Sequence, residues 1–317
     1  MIDRLGRNIQ YARLSLTQRC NLKCVYCNPD GEHCPQNTEL CVQDWIRIVD
    51  ALVHLGVRKI RLTGGEPLVR KDLEEIIHGI AQFPQIEDLC MTTNAQHLPG
   101  RVELLKRAGL GRLNISIDSL KPERFRTITG GGRIEDVLES IDMAIALQLL
   151  PIKLNTVVVR GQNDDEIDDF IALTRERPIE VRFIELMPIG RLGQDESMRI
   201  SNDELIRQRP YLKPLKPVYE SQPSRDYGIE GHLGKVGFIS PISHQFCDRC
   251  NRIRITSDGK FKPCLGDNGE VSLMQALKSG DDALLYRTLY DAIYNKPQGH
   301  HFGEGFTSVR NMSRIGG

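Results

Sequence analysis

The residues best placed to do chemistry are three cysteines in the segment Arg19-Cys20-Asn21-Leu22-Lys23-Cys24-Val25-Tyr26-Cys27, spaced Cys-x3-Cys-x2-Cys. A structural zinc ion is normally enclosed by four ligands, and a ferredoxin-type cubane takes four thiolates. A local trio that holds a four-iron cluster leaves one iron without a protein ligand, open to a substrate or cofactor. That arrangement is catalytic. The plainer alternatives are a zinc knuckle or three unrelated thiols.

A second set lies far downstream, in Phe246-Cys247-Asp248-Arg249-Cys250-Asn251-Arg252-Ile253-Arg254 and Lys262-Pro263-Cys264-Leu265. Its spacing, Cys-x2-Cys-x13-Cys, again supplies three ligands. A zinc ribbon would need a fourth, for which His244 is the nearest candidate; a second cluster with an open iron is the sharper reading. Arg252 and Arg254 are two apart, so on a strand they share one face. Guanidinium groups grip phosphate through paired, charge-assisted hydrogen bonds. Beside an open iron they point to a nucleotide or other phosphorylated substrate; the alternative is a solvated basic face.

These residues need a frame. Short β-rich runs at 11–17, 59–63, 86–93, 112–117, 152–159 and 179–186 alternate with helical periods at 42–55, 72–82, 102–108, 134–147 and 165–175. Strands separated by helical crossovers pair in parallel, and right-handed crossovers curl such a sheet. Six units are too few for a closed eight-stranded barrel. The expected fold is therefore α/β, an incomplete (β/α)6 barrel over residues 1–190, with a smaller region at 191–317 covering the open side. Chemistry gathers at the C-terminal ends of the strands in such folds. Cys20–Cys27, Gly64-Gly65-Glu66-Pro67, Thr92-Thr93-Asn94, Ser116-Ile117-Asp118-Ser119 and Glu185-Leu186-Met187-Pro188 all fall there. The long loop after the first strand also needs a reason, and holding a cluster supplies one.

The chain has 317 residues, with Lys plus Arg and Asp plus Glu balanced at 42 each, so net charge gives no sign of nucleic-acid or membrane binding. Nine cysteines in metal-like spacings, with no secretory or membrane-spanning run, predict a protein of the reducing cytoplasm.

The first cysteine motif, with an aromatic before its third cysteine, resembles the signature of radical S-adenosylmethionine (SAM) enzymes. Together with the segment 246–265 and the terminal Gly316-Gly317, the whole chain resembles the GTP 3′,8-cyclases of molybdenum cofactor biosynthesis. The resemblance implies two [4Fe-4S] clusters, one on Cys20, Cys24 and Cys27 and one on Cys247, Cys250 and Cys264. It implies SAM beside Tyr26, Gly65, Ser116 and Met187. It implies GTP among Arg13, Arg61, Thr92, Lys153, Arg182, Arg252, Ile253 and Arg254, with a catalytic tail carrying Arg314, Gly316 and Gly317. The implied reaction is 5′-deoxyadenosyl radical attack on GTP, giving (8S)-3′,8-cyclo-7,8-dihydro-GTP. Implied partners are an electron donor, cyclic pyranopterin monophosphate synthase as the next enzyme and, by analogy, a second copy of the chain. No Gly-x4-Gly-Lys-Ser/Thr loop is present, which suits a nucleotide that is rearranged and not hydrolysed.

Ala95 and Asn28 stand where relatives commonly carry glycine and methionine. Cys34, Cys41 and Cys90 read as ordinary thiols, Cys90 inside a buried strand. Two other classes fit parts of the sequence. A peptide-modifying radical SAM enzyme would share the first motif but would not need Arg252 and Arg254. A zinc-stabilised binding protein would use both cysteine sets structurally.

Overall fold

The computed structural model describes residues 1–29, 31, 39–303 and 306–316; Cys34 and Gly317 lie outside them. The first half runs β1 (Tyr11–Ser15), α1 (Val42–His54), β2 (Lys59–Thr63), α2 (Leu73–Ala81), β3 (Asp88–Thr93), α3 (Val102–Ala108) and β4 (Arg112–Ser116). It continues through α4 (Pro122–Thr129), α5 (Ile134–Ala146), β5 (Ile152–Val158), α6 (Ile167–Ala172) and β6 (Ile179–Glu185). All six expected strands are present, and β1 to β6 pair in chain order, each parallel to the next. The five expected helices are present too. The structure adds α4, which the polar sequence around Pro122 and the glycines at 130–132 had concealed. Pro122 opens it at a position where no backbone donor is needed, and Gly130 (φ 68°) closes it in the left-handed region.

The second half comprises α7 (Gly190–Gln194), α8 (Asn202–Arg207), β7 (Lys213–Pro214), β8 (Ser224–Gly228), β9 (Lys235–Ile239), β10 (Arg252–Ile255), β11 (Lys260–Lys262) and β12 (Val271–Ser272). It ends with α9 (Met274–Ser279), α10 (Asp282–Tyr294) and α11 (Met312–Ile315). This region covers the open side by continuing the sheet from both edges. β9 adds parallel to β6 and β10 adds parallel to β1. One open 12-stranded sheet results, in the order β12-β11-β10-β1-β2-β3-β4-β5-β6-β9-β8-β7. Consecutive β9 and β10 thus lie on opposite sides of the barrel's gap, and residues 240–251 must cross it.

Alternation decides what each face of the sheet carries. Ala12, Leu14, Ile60, Leu62, Met91, Leu113, Ile115, Leu154, Val181 and Phe183 are buried toward the helices in one continuous core. Trp45, Ile48, Val49 and Leu52 of α1 pack there as a single apolar stripe. The residues between them, Arg13, Arg61, Cys90, Arg112, Asn114, Lys153, Glu180 and Arg182, are left to the other face, the barrel interior. Among the described residues, no helix is long and apolar enough to cross a membrane.

Candidate active site

The first cysteine loop leaves β1 and is fastened from three sides. The amide of Gly65 donates to the carbonyl of Thr17 at 2.7 Å, and that of Glu66 to Arg19 at 2.8 Å. A side chain at Gly65 would place Cβ 2.2 Å from the Arg19 carbonyl oxygen, so only glycine allows this approach. The amides of Lys23 and Val25 donate to the carbonyls of Thr129 and Ile128 at 3.0 Å each, so the end of α4 braces the loop. The Tyr26 hydroxyl donates to Asp118 Oδ2 at 2.6 Å, just beyond β4.

Cys20, Cys24 and Cys27 lie within electrostatic reach of one another. Burial pushes the Cys20 thiol up to about 11; burial and then the neighbouring thiols push Cys27 up to about 12 and raise Cys24 well above its ordinary value. Ionising three such thiols side by side is unfavourable unless something electropositive binds the thiolates. Among the described residues, no three ligand side chains close around a single ion-sized point.

Two residues of this rim carry more than the sequence disclosed. Glu66 is 1% exposed. It accepts from Leu68 N at 3.0 Å, Thr93 Oγ1 at 2.7 Å and Asn94 N at 2.7 Å. Burial nevertheless raises its carboxyl to about 7. Asn94 in turn directs its amide to Asn21 Oδ1 at 2.9 Å, with Cys20 Sγ at 3.8 Å. Asp118 also accepts from Val157 N at 2.8 Å, and burial raises it to about 6. Both stood in the quoted strand-end motifs, but nothing local marked them as organising residues. Ser116 ends β4, and Met187 follows β6 at the same rim.

The second cysteine set sits at the opposite end of the strands. Cys247 begins a short 3-10 turn and Cys250 closes it, just before β10 starts beside Tyr11 of β1. Cys264 and Cys250 lie in electrostatic range of Cys247. Burial raises the Cys250 thiol, but Arg252, Lys296 and Arg7 outweigh it and bring it down to about 7. Arg7, buried and ion-paired with Asp3 at 2.7 Å, donates to the carbonyls of Cys247, Lys296, Pro297 and Gln298. It staples this set to the start of the chain. His244 is engaged elsewhere, 2.6 Å from Asp203 Oδ2, so the residue closest to completing a zinc ribbon is directed at a carboxylate.

Between the two sets lies a cationic face. Register places Arg13 directly between Arg254 and Arg61, and Cys90 between Arg61 and Arg112. Thr92, Asn114, Lys153, Glu180 and Lys235 form the adjoining row, with Arg182 two residues further along β6. The four steps from Tyr11 to Ser15 cover about 13 Å of strand at a rise of about 3.3 Å per residue. Tyr11 Oη, Arg13 Nε, Ser15 Oγ, Arg61 Nε, Thr92 Oγ1, Asn114 Nδ2, and Arg252 Nε and Nη2 are buried without hydrogen-bond partners. Leaving one such group unsatisfied costs about 1–3 kcal/mol. A cluster of them on one face marks a ligand cradle, and their charge selects an anion. Arg252 also lies 4.7 Å from the Phe246 ring centroid. Ile253 differs from its expected neighbours: its side chain is 0% exposed in the core behind β10, so only its backbone is available to a ligand.

The tail enters this cradle. Arg254 Nη1 donates to the carbonyls of Ile315, at 3.1 Å, and Gly316. Burial, with Arg13 and Arg252 nearby, pushes its guanidinium down to about 9. Gly316 (φ 68°) lies so close to β2 that a Cβ would sit 2.2 Å from Thr63 Oγ1. The amide of Ser313 reaches the Cys27 thiol. Arg314 lies on α11 between these anchors. Upstream, Arg310 clamps the tail to Asp258 at 2.9 Å and Glu270 at 2.7 Å. A separate cavity of about 520 Å³, lined by Asp168, Arg175, Tyr211, Lys213, Glu230 and His232 among others, shares no residue with either cysteine set or the cradle.

Comparison with known proteins agrees with this geometry. Residues 14–174 match the radical SAM superfamily, and residues 179–302 match the family described as Molybdenum Cofactor Synthesis C. Over its full length and theirs, the chain is 46% identical to the GTP 3′,8-cyclase of Alkaliphilus oremlandii and 44% identical to that of Syntrophomonas wolfei. The enzyme of the same name from Clostridium acetobutylicum is 43% identical, again over both full lengths. Among solved structures, SuiB of Streptococcus suis superposes with a TM-score of 0.61 at 17% identity, over 92% of this chain and 67% of its own. Its complex with S-adenosylmethionine gives 0.59 at 16% identity, over 91% of this chain and 66% of its own. At these identities the likeness concerns the fold alone.

The tail geometry makes a direct prediction. Arg310→Ala removes the upstream clamp, so hydrogen exchange at the amides of Ser313 to Ile315 should accelerate by about tenfold or more. Unchanged exchange would show that the Arg254 contacts hold the tail without it.

Proposed function

The chain belongs to the radical SAM superfamily and, within it, to the GTP 3′,8-cyclase family, and on that premise we propose how its two thiol sets and its cationic cradle divide the work. Cys20, Cys24 and Cys27 hold the iron–sulfur cluster that takes SAM. Cys247, Cys250 and Cys264 hold a second one that faces the substrate base. Each cysteine of such a cluster takes a different iron, so a ring of sulfurs wider than one ion's coordination shell fits this use. When bound, cluster and SAM would supply 5′-deoxyadenosyl radical chemistry that removes the ribose 3′ hydrogen of GTP; after closure onto guanine C8, the cyclised radical would take one electron and one proton to become (8S)-3′,8-cyclo-7,8-dihydro-GTP.

The protein's own share is positional and electrostatic. Gly65 gives SAM a backbone without side-chain obstruction, while Tyr26, Ser116 and Met187 border the same rim. Arg13, Arg61, Arg252 and Arg254 meet the triphosphate, with Lys153, Arg182 and Thr92 on the adjoining row and Ile253 contributing its backbone. Arg314, Gly316 and Gly317 complete the site from the tail. The observation that carries this reading is the row Arg254-Arg13-Arg61, three cations abreast between the two thiol sets with no carboxylate bridging them among the described residues. A peptide substrate gives no reason for that row.

The reaction is the first step of molybdenum cofactor biosynthesis. It requires an electron donor and passes its product to cyclic pyranopterin monophosphate synthase. The chain is read as acting in the cytoplasm, with a second copy as its analogue-based partner.

Arg252→Ala should weaken GTP binding by about tenfold or more, the scale of one charge-assisted contact, while uncoupled SAM cleavage persists; equilibrium binding and 5′-deoxyadenosine release measure the two. Loss of SAM cleavage with GTP affinity intact would reverse the assignment. Deleting Gly316 and Gly317 should preserve iron content and GTP affinity yet abolish cyclisation, and full activity in the truncated enzyme would remove the tail from the mechanism.

A further inference from the structure

The two walls of the cradle are built on different electrostatic plans. On the β10-β1-β2 wall, Arg13, Arg61, Arg252 and Arg254 form no ion pair with a carboxylate among the described residues, and several of the donors of Arg13, Arg61 and Arg252 are unsatisfied. On the β5-β6-β9 wall, one carboxylate serves three cations. Glu180, 2% exposed, lies in register between Lys153 and Lys235. Its Oε2 is 3.4 Å from Lys153 Nζ and 3.6 Å from Lys235 Nζ. Its Oε1 takes both Arg182 Nε, at 2.5 Å, and Nη2. Lys235 has a second carboxylate in Asp226, at 2.5 Å. Among the described residues Lys153 has no second carboxylate, and Arg112 and Arg61 face it from β4 and β2.

We propose that Glu180 is a positioning residue for GTP: its carboxylate holds Lys153 and Arg182 side by side, so that the far wall presents a defined pair of cations to the nucleotide. The inference rests on the GTP reading above and assigns a role to a carboxylate in a pocket built for an anion. An acid there opposes substrate binding by simple charge, so its presence needs a reason. The three-way pairing supplies one. Without it, Lys153 and Arg182 would repel each other across neighbouring strands, and Lys153 would shed its proton.

The titration of Lys153 follows the same logic. Burial and then Arg182 lower its pKa to about 8, while Glu180 acts in the opposite direction. Replacing Glu180 with a neutral residue removes the one influence that holds the pKa up. The fall in the charged fraction of Lys153 then begins at lower pH.

The test is GTP affinity of the anaerobic holoenzyme, measured by calorimetry between pH 7 and pH 8. A lysine half-titrated at about 8 weakens wild-type binding by about twofold over this range. Glu180→Gln should bind GTP at pH 7 no more than about threefold differently from wild type, yet weaken by about fivefold between pH 7 and pH 8. Adding Lys153→Arg, whose guanidinium does not titrate there, should remove that pH dependence. A merely structural role for Glu180 would lower affinity equally at all pH values, and that result, or identical profiles, overturns the proposal. If Glu180→Gln loses iron or folded secondary structure, Glu180→Asp keeps the charge and should retain the wild-type profile; a roughly fivefold pH dependence in that variant would overturn the role equally. A wild type that binds no GTP at any pH would instead contradict the cyclase reading, and this inference with it.

Discussion

Unpaired positive charge inside the sheet is the constraint on which the rest of the structure depends. A parallel strand pair puts directly opposed residues on the same face, so the register of β10, β1 and β2 brings Arg254, Arg13 and Arg61 side by side. Inside a fold such charges are poorly screened, and an isolated buried ion costs several kcal/mol. A sheet closed on itself would trap these groups. An open one, flanked by short loops and a terminal tail, leaves them accessible to an anion that repays the cost. The barrel is incomplete, and the C-terminal region extends its edges through β9 and β10.

The same architecture sets the two thiol sets apart. The loop after β1 lies at the C-terminal ends of the strands, whereas Cys250 immediately precedes β10 and lies at their N-terminal ends. Residues 240–251 cross the gap because β9 and β10 occupy opposite edges of one sheet. In the proposed function, a substrate held by the arginines would meet one set at each end. The tail, tied at Arg310 and received by Arg254, enters between them. Carbonyl oxygens of the tail accept from the Arg254 guanidinium, the group that the proposed function assigns to the nucleotide.

The spacing of the cysteines and the strand–helix alternation were legible because both are local signals. Six strands, five helices and the strand-end motifs could be read from periodicity and short spacings alone. α4 could not, since its helix-forming stretch buries only Phe125, Ile128 and Thr129 and is bracketed by Pro122 and Gly130. Cys90 was read correctly as buried, but its neighbours Arg61 and Arg112 come from register between strands, which no single segment encodes. Arg7, Asp118 and Glu180 escaped for the same reason. Each organises residues dozens to hundreds of positions away, and a lone charged residue in a strand or turn gives no hint of that. Ile253 shows the opposite case: the motif named the segment, and strand alternation sent its side chain to the core.

Two open-iron clusters facing one nucleotide are the centre of this account, and their number can be counted. Iron and sulfide content of anaerobically purified protein, with and without Cys247→Ala, measures it most directly. About eight irons per chain falling to about four in the variant, on the usual cubane stoichiometry, is the predicted result. About four irons that do not change on substitution, or zinc in place of iron, would contradict it.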